Sequence, residues 1–595
     1  MWRSSPRFYN VFYMADQEFD VVVVGSGGAG MTAALAAAKK GLSVVLVEKA
    51  PHYGGSTARS GGGVWIPGNS VLRRDGVQDT PEAARTYLRA IVGDVVAPER
   101  IDAYVDRGPE VLDFVLANSP LEMEWVVDYS DYYPESPGGR LGGRSVEPKP
   151  FDLRQLGSEA ARLEPPYAKA PANMVVKQSD YRWLNLLQRP TTKGFRRSVR
   201  VTMRMLLAKA RGANMVGMGR ALIAAMRKGL LDAGVPVWLN TPMTGLVTEG
   251  SGLDERVVGI TVTRGGEEQT LRARRGVIIG SGGFEHNQEM RDKYQRQPIP
   301  TSWTVGAAGN TGEGIEHMEK VGAELAFMED AWWGPTILLP RGPWFALAER
   351  SLPCSFLVNS RGERFMNESL PYVEAGHRMY GGEYGQAPAD QQGAEGENVP
   401  AWIIFDQEYK NRYLFAGLQA KQPLPKKWLE TENFHKADTL AELAGLIGVP
   451  ADALEKTAAR FNGFAERGVD EDFQRGVSGY DHYYGDPTNK PNPSLGPVRK
   501  APFFAAKMVP GDLGTKGGAN TDVHGRVLRS DGSVIQGLYA AGNASSPVMG
   551  HTYAGPGATI GPAMVFGYLA VEHMLAGAAA GSTTTGPTTT DKTGV

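Results

Sequence analysis

The chain has almost no cysteine: Cys354 alone among 595 residues. A single thiol excludes a disulfide framework and any multi-cysteine zinc or iron–sulfur centre, and makes a reducing compartment the default. Cys354 itself reads as a small buried hydrophobe. Histidine is scarce too. The nine are scattered, with no His-x-x-x-His pair, which argues against a metal site. No stretch reaches the ~18 uninterrupted apolar residues that a membrane-spanning helix needs. Neither sign of charge dominates: 63 Lys and Arg stand against 65 Asp and Glu, a formal net charge of −2. That balance argues against a nucleic-acid binder working through a chain-wide basic field. With 42% hydrophobic and 22% charged residues, the composition is that of a packed globular chain.

What is abundant is glycine, 75 residues, as expected where backbone must approach a large cofactor closely. Length alone allows roughly four domains. Residues 1–13 carry two arginines but no apolar core and no small-residue cleavage site. They are expected to be a flexible extension or an upstream start rather than a signal peptide. The small, polar 578–595 segment is expected to be a disordered tail. A cytoplasmic location follows, with a membrane association left open.

Residues 19–24 form an apolar β-branched run that leads straight into Gly25-Ser26-Gly27-Gly28-Ala29-Gly30 and an Ala-rich helix. A second apolar strand follows and ends at Glu48. This is the dinucleotide-binding βαβ unit: glycines for the turn, a helix N-terminus for pyrophosphate, and a carboxylate for a ribose hydroxyl. The loop alone does not separate NAD from FAD. Two further features favour the longer FAD: the small-residue segment after Lys49, from Gly54 to Gly63, and a late strand ending in Gly542-Asn543.

Thr80-Pro81-Glu82 predicts a capped helix running to about 92. Between 181 and 231 there are twelve Lys or Arg and no acid. Phe195, Val199, Met203, Leu206 and Leu207 recur there at helical spacing among Arg196, Arg197, Arg200, Arg204 and Lys209. Two readings stand: an amphipathic helix on an anionic membrane surface, or a solvated helix packed on its own protein. From about 330 to 497 aromatics, prolines and loops increase. The expected fold is α/β: a Rossmann-like, parallel-sheet FAD-binding domain over 14–331 and 498–577, with an α+β catalytic domain, 332–497, inserted.

Gly54-Gly55-Ser56-Thr57-Ala58-Arg59-Ser60-Gly61-Gly62, the 364–372 segment ending Ser369-Leu370-Pro371-Tyr372, Asp512-Leu513-Gly514-Thr515-Lys516-Gly517-Gly518 and the 553–561 loop resemble the FAD-dependent 3-ketosteroid dehydrogenases. That family lies within the flavoprotein superfamily that includes fumarate reductases, and the resemblance spans about 17–575. It is nearest to the Δ1-dehydrogenases, which place a double bond between C1 and C2 of the steroid A ring. The resemblance implies that Tyr372 abstracts the C2 proton, that Tyr132 assists it, and that Tyr553 with the Gly557 N–H holds the C3 carbonyl oxygen. It implies hydride transfer from C1 to flavin N5 and a role in steroid catabolism. It also implies FAD contacts at Gly25, Ser26, Gly27, Ala29, Gly30, Glu48, Lys49, Gly55, Ser56, Thr57, Ser60, Gly61, Gly62, Val247, Gly282, Gly542, Asn543 and Ile560. The superfamily's covalent flavin histidine is absent, with Ser56 in its place, so FAD should be non-covalent. The family commonly has Pro after the first tyrosine of the late loop; here it is Ala554.

Trp332, Trp333, Ile337, Leu338, Leu339, Trp344 and Phe345 read either as a wall for a flat apolar substrate or as plain core. The implied partners are a 3-ketosteroid and an electron acceptor, quinone-like or other, with peripheral membrane contact through 181–231. The alternatives are a C4–C5 ketosteroid dehydrogenase, a fumarate-reductase-like enzyme, and a membrane-associated electron-transfer scaffold without a substrate of its own. Against the second, Gly514 stands where fumarate reductases carry a histidine.

Overall fold

The computed structural model describes residues 17–167, 174–189, 191–252, 255–381 and 398–581. The extension expected over 1–13 and the tail beyond 581 lie outside the described residues.

Strand β1 (Gln17–Val24) ends in four buried valines. Helix α1 (Gly28–Lys39) follows, then β2 (Val44–Val47), which pairs parallel to β1 from Val21↔Val44 to Val24↔Val47. A one-turn helix, α2 (Gly55–Arg59), lies in the glycine loop. Helix α3 (Pro81–Val92) begins where expected: the Thr80 hydroxyl accepts from the Ala83 N–H, and Pro81 opens the helix. The next helix, α4 (Pro98–Asn118), holds Pro109 inside it. Helix α5 (Thr192–Ala210) carries six of the basic segment's twelve Lys and Arg on one surface element. Four strands follow: β3 (Val237–Trp238), β4 (Met243–Glu249), β5 (Arg256–Arg264) and β6 (Glu267–Ile279).

The chain then builds a second sheet from β7 (Ala331–Leu339), β8 (Gly342–Phe345), β9 (Ser355–Val358), β10 (Ala401–Asp406), β11 (Phe434–Ala437) and β12 (Phe503–Thr515). Helices α6 (Tyr372–Tyr380) and α7 (Gly479–Tyr484) lie between these strands. The return path is β13 (Arg526–Leu528), β14 (Val534–Ala540) and the closing helix α8 (Ile560–Gly581), which packs against α1.

The first sheet has the order β13-β14-β5-β6-β1-β2-β3, with β4 on β5. Its centre is parallel: β1 pairs β2 on one side and β6 on the other, and β14 runs parallel to β6. This explains the uninterrupted apolar runs, since both faces of these strands are covered. The second sheet has the order β8-β7-β12-β10-β9, with β11 on β12. It begins where the composition changes but extends further than 497. β12 is its central strand, pairing β7, β10 and β11, so the chain stays in this sheet through Thr515. Among the described residues no helix is long and apolar enough to cross a membrane.

Candidate active site

At the end of β1 the backbone closes on itself. A Cβ at Gly30 would lie 1.9 Å from the Gly25 carbonyl oxygen, and one at Gly25 would lie 2.3 Å from the Gly280 oxygen at the end of β6. Only hydrogen fits, so the first turn of α1 stays open to a pyrophosphate. Ser26 and Ala29 are buried in this turn beside Gly27. Thr57 binds the Gly28 N–H through its hydroxyl at 3.1 Å. Glu48 accepts from the Ser26 N–H at 3.0 Å, the Ser26 hydroxyl at 2.6 Å and the Ala50 N–H at 2.9 Å. A carboxylate has about four lone-pair sites, so one is left for a ribose hydroxyl. The Lys49 ammonium is engaged elsewhere, on Glu313 at 2.7 Å and on Thr311.

The remaining candidate cofactor residues fall into three groups. Gly55 opens α2; the Ser56 hydroxyl accepts from the Ala307 N–H and from Asn310, and the Ser60 hydroxyl accepts from the Gly62 N–H with Gly61 between. Gly282 faces the same Asn310. From the far end of the chain, Gly542 comes within 3.5 Å of the Ala29 Cβ by the position of its own would-be Cβ, and Ile560 meets Gly28 at 3.6 Å in the same sense. Asn543 accepts from the Trp332 indole at 3.1 Å. Val247 sits apart on β4, half-buried and paired with Gly259. The cradle that a Cβ would fill, the carboxylate and the meeting of both chain ends fit a dinucleotide as long as FAD.

Three tyrosines from distant segments meet beside this cradle. Tyr132, Tyr372 and Tyr553 have ring centroids 5.3–5.4 Å apart, pair by pair. It is Tyr132, not its neighbour Tyr133, that joins the triad; Tyr133 gives its N–H to the Tyr87 hydroxyl. Tyr372 opens α6. Burial pushes the Tyr553 hydroxyl up, but hydrogen bonds with Thr559, Tyr372 and the Gly557 N–H pull against it. The Tyr553 hydroxyl and the Gly557 amide therefore lie side by side. Burial drives Tyr372 well above the ordinary tyrosine range, although a hydrogen bond from Tyr132 opposes it.

The loop that carries this pair is pinned by its carbonyls. Ala554 C=O accepts from the Tyr132 N–H at 3.0 Å and the Tyr87 hydroxyl at 2.7 Å. Pro556 C=O accepts from Ser145, and Gly557 C=O accepts from the Trp65 N–H. Gly557 has φ +97°, and a Cβ there would lie 2.3 Å from the Gly63 carbonyl. No other residue can present its amide here. With Ala554 held by two donors, the missing proline costs the loop little order. Tyr132 is fixed by its neighbour Asp131, which accepts from the Trp65 indole at 2.9 Å and is paired with the buried Arg144. Burial pushes Asp131 up to about 6 against the pull of Arg144.

The aromatic cluster at the start of the second sheet divides by the two-residue strand period. Trp332 meets Tyr553 edge-on at 5.2 Å, and Phe345 meets Tyr372 likewise. Trp333 points the other way, into a small core with Ile299 and Ala331. Trp332 and Phe345 thus pack against the tyrosines, and Trp333 reads as core.

A buried polar cluster adjoins it that sequence reading did not assemble. Lys516 binds Asp330 at 2.7 Å and the His551 carbonyl at 2.8 Å; His377, His551, the Trp333 indole and the Ala331 N–H are the carboxylate's other partners. Burial works against the charge, yet Lys516 and His377 hold Asp330 well below the carboxylate range. His551 is thus a structural partner, and the Lys516 ammonium lies 4.8 Å over Trp332. Lys516, Trp332, Gly542, Asn543, Thr559 and Pro562 share one narrow cavity.

The chain is similar to known proteins over most of its length. The FAD binding domain family model matches residues 20–560. The 3-oxosteroid 1-dehydrogenase of Mycolicibacterium smegmatis is 64% identical over 575 residues, covering 96% of this chain and 99% of that protein. The crystal structure of 3-ketosteroid Δ1-dehydrogenase from Sterolibacterium denitrificans, in complex with 1,4-androstadiene-3,17-dione, superposes with a TM-score of 0.88 at 39% identity. It covers 94% of this chain and 100% of that one. A 3-ketosteroid Δ4-(5α)-dehydrogenase from Rhodococcus jostii, in complex with 4-androstene-3,17-dione, shares the fold at a TM-score of 0.63 and 22% identity. The alignment covers 96% of this chain and 99% of that one.

Proposed function

Because the chain belongs to the FAD binding domain family, we propose that it is a FAD-dependent dehydrogenase that introduces a C1–C2 double bond into 3-ketosteroids. The observation that carries this reading is the meeting of Tyr132, Tyr372 and Tyr553 in ring contact, with the Gly557 N–H beside the Tyr553 hydroxyl. Two donors aimed at one point stabilise the oxygen of a carbonyl as it becomes enolate-like, which acidifies the neighbouring C–H. Tyr372 then takes the C2 proton, and Tyr132, edge-on to it at 5.4 Å between ring centroids, assists. Trp332 and Phe345 give the A ring an apolar wall. When bound, FAD supplies the hydride acceptor for C1. The cradle residues Gly25, Gly27 and Gly30, with Glu48, hold its pyrophosphate and ribose, and Gly542 and Asn543 hold it from the other end of the chain. Ser56 offers no nitrogen for a covalent flavin bond, so the cofactor is dissociable.

Helix α5 belongs to the same reading as a membrane-resting element. Its apolar stripe of Phe195, Val199, Met203, Leu206 and Leu207 is 45–65% exposed. Arg196, Arg200 and Lys209 flank it in solvent. The inward face carries Arg197 and Arg204, both paired with the buried Asp180. An apolar stripe turned outward among cations matches an anionic lipid surface, where steroid and an acceptor of the quinone class both partition.

The test is anaerobic mixing of the purified holoenzyme with androst-4-ene-3,17-dione. Bleaching of oxidised flavin with formation of the 1,4-diene-3-one is expected; Tyr372→Phe and Tyr553→Phe should keep flavin and lose most of the bleaching. No bleaching by the parent protein would overturn the reading.

A further inference from the structure

The hydroxyl network does not stop at Tyr132. The Tyr129 hydroxyl lies 3.4 Å from that of Tyr132 and 2.8 Å from that of Tyr484, on α7. The rings leave these oxygens little freedom: Tyr129 stacks on Tyr483 at 3.9 Å with planes 3° apart and meets Tyr484 edge-on at 5.7 Å. With Tyr132 edge-on to Tyr372 at 5.4 Å between ring centroids, this sets four phenols in one line leading away from the reacting carbon. Tyr372 keeps 6% of its surface open on the side of the site, Tyr132 and Tyr129 in the middle of the line keep 2% and 1%, and Tyr484 at its far end keeps 5%.

We propose that Tyr129 and Tyr484 extend the catalytic tyrosines into a proton relay that carries the C2 proton from Tyr372 to solvent. The inference rests on the Δ1-dehydrogenase reading and adds to it a route and two relay residues. The physical need is plain. A base that must become an isolated phenolate before it can act is costly in an apolar site, and burial pushes all four tyrosines well above their ordinary range. A hydroxyl is donor and acceptor at once. The Tyr372 oxygen can therefore accept the C2 proton while its own proton passes to Tyr132, that of Tyr132 to Tyr129, that of Tyr129 to Tyr484, and that of Tyr484 to water. One C–H bond breaks, its electron pair stays with the steroid until the hydride leaves C1 for the oxidant that the proposed activity already requires, and each tyrosine ends neutral.

Tyr129→Phe and Tyr484→Phe keep the rings and their stacking and remove only the relay oxygens. Both variants should retain FAD, melting temperature and steroid affinity. The rate of flavin bleaching by androst-4-ene-3,17-dione should fall at least tenfold in each. In mixtures of H2O and D2O the parent enzyme should show a curved dependence of rate on deuterium fraction, as several protons move together, and each variant a straight line. The double variant should be no slower than the slower single one, since both cut the same line. Parent-like rates in both variants, or slower rates with an unchanged curve and additive losses, would overturn the relay and leave the dehydrogenase reading intact. A parent protein that the steroid does not bleach would remove both.

Discussion

Glu285 is fully buried just after β6, between Asn310, which donates to it at 2.6 Å, and the backbone of Gly283, Gly306 and Gly514. Burial, helped by Asp512, pushes its carboxyl up to about 7. In the unfolded chain it would titrate near the ordinary value of about 4.3. Between those two values the folded protein holds a proton that the unfolded chain has released, so stability falls as pH rises. The contribution is complete below about 4.3 and gone above about 7; over that window it amounts to about 4 kcal/mol. Glu285→Gln keeps the neutral form at every pH. Its melting temperature should therefore lose less than that of the parent between pH 5 and 7.5, measured on the holoenzymes in one buffer series. A parent curve that rises over this range, or a variant that tracks the parent, would show that Glu285 ionises freely. The same logic separates the tyrosines: a buried group that must stay neutral can still move a proton if a neighbour takes one at the same time.

Helix α5 shows how far a pattern can be read before packing is known. The 3.6-residue spacing of its apolar positions gave the helix, but not the side on which the stripe would face. The structure turns the stripe outward because Asp180 is buried beneath α5 and takes Arg197 and Arg204 inward. Replacing Phe195, Met203 and Leu206 with Ser should leave flavin content and turnover of dissolved steroid unchanged. It should abolish co-sedimentation with vesicles containing phosphatidylglycerol. Equal sedimentation of parent and variant, or none by the parent at low salt, would sink the lipid reading. Elsewhere legibility followed the range of the forces involved. The β1–α1–β2 unit is local: four valines, a fixed glycine spacing and a carboxylate specify it within thirty residues. The start of α3 is written in Thr80 and Pro81. Helix α4 was missed because Pro109 reads as a breaker, and β12 because Pro510, Gly511 and Gly514 read as loop although the second sheet is built around that strand. Tyr129 and Tyr484 carry no local signal at all. They become a pair only through contacts between segments 355 residues apart.

The molecule as a whole is organised so that its two ends share one ligand. β1 and α1 come from the start of the described chain, Gly542, Asn543 and α8 from its end, and α8 lies against α1. The tyrosine triad draws on three further regions: the segment before α5, the first turn of α6 and the loop before α8. Each is positioned in part by residues far away in the chain. Gly542 faces Ala29, Asn543 holds Trp332, and Trp332 holds Tyr553. A cofactor in the cradle would therefore be a structural bridge as well as a reagent. A ligand that binds only the folded state stabilises it by mass action, roughly 4 kcal/mol at a thousandfold excess over its dissociation constant. With Ser56 in place of an attaching histidine, FAD should leave the protein intact under mild chaotrope and appear in the filtrate. The stripped protein should melt several degrees lower, and added FAD should restore the lost stability in proportion to the logarithm of its concentration. Flavin that stays with the precipitated protein in acid would show a covalent bond. Flavin that leaves without lowering the melting temperature would place the contacts joining the two chain ends in the protein alone, and the order of the tyrosine triad would then be independent of the cofactor it serves.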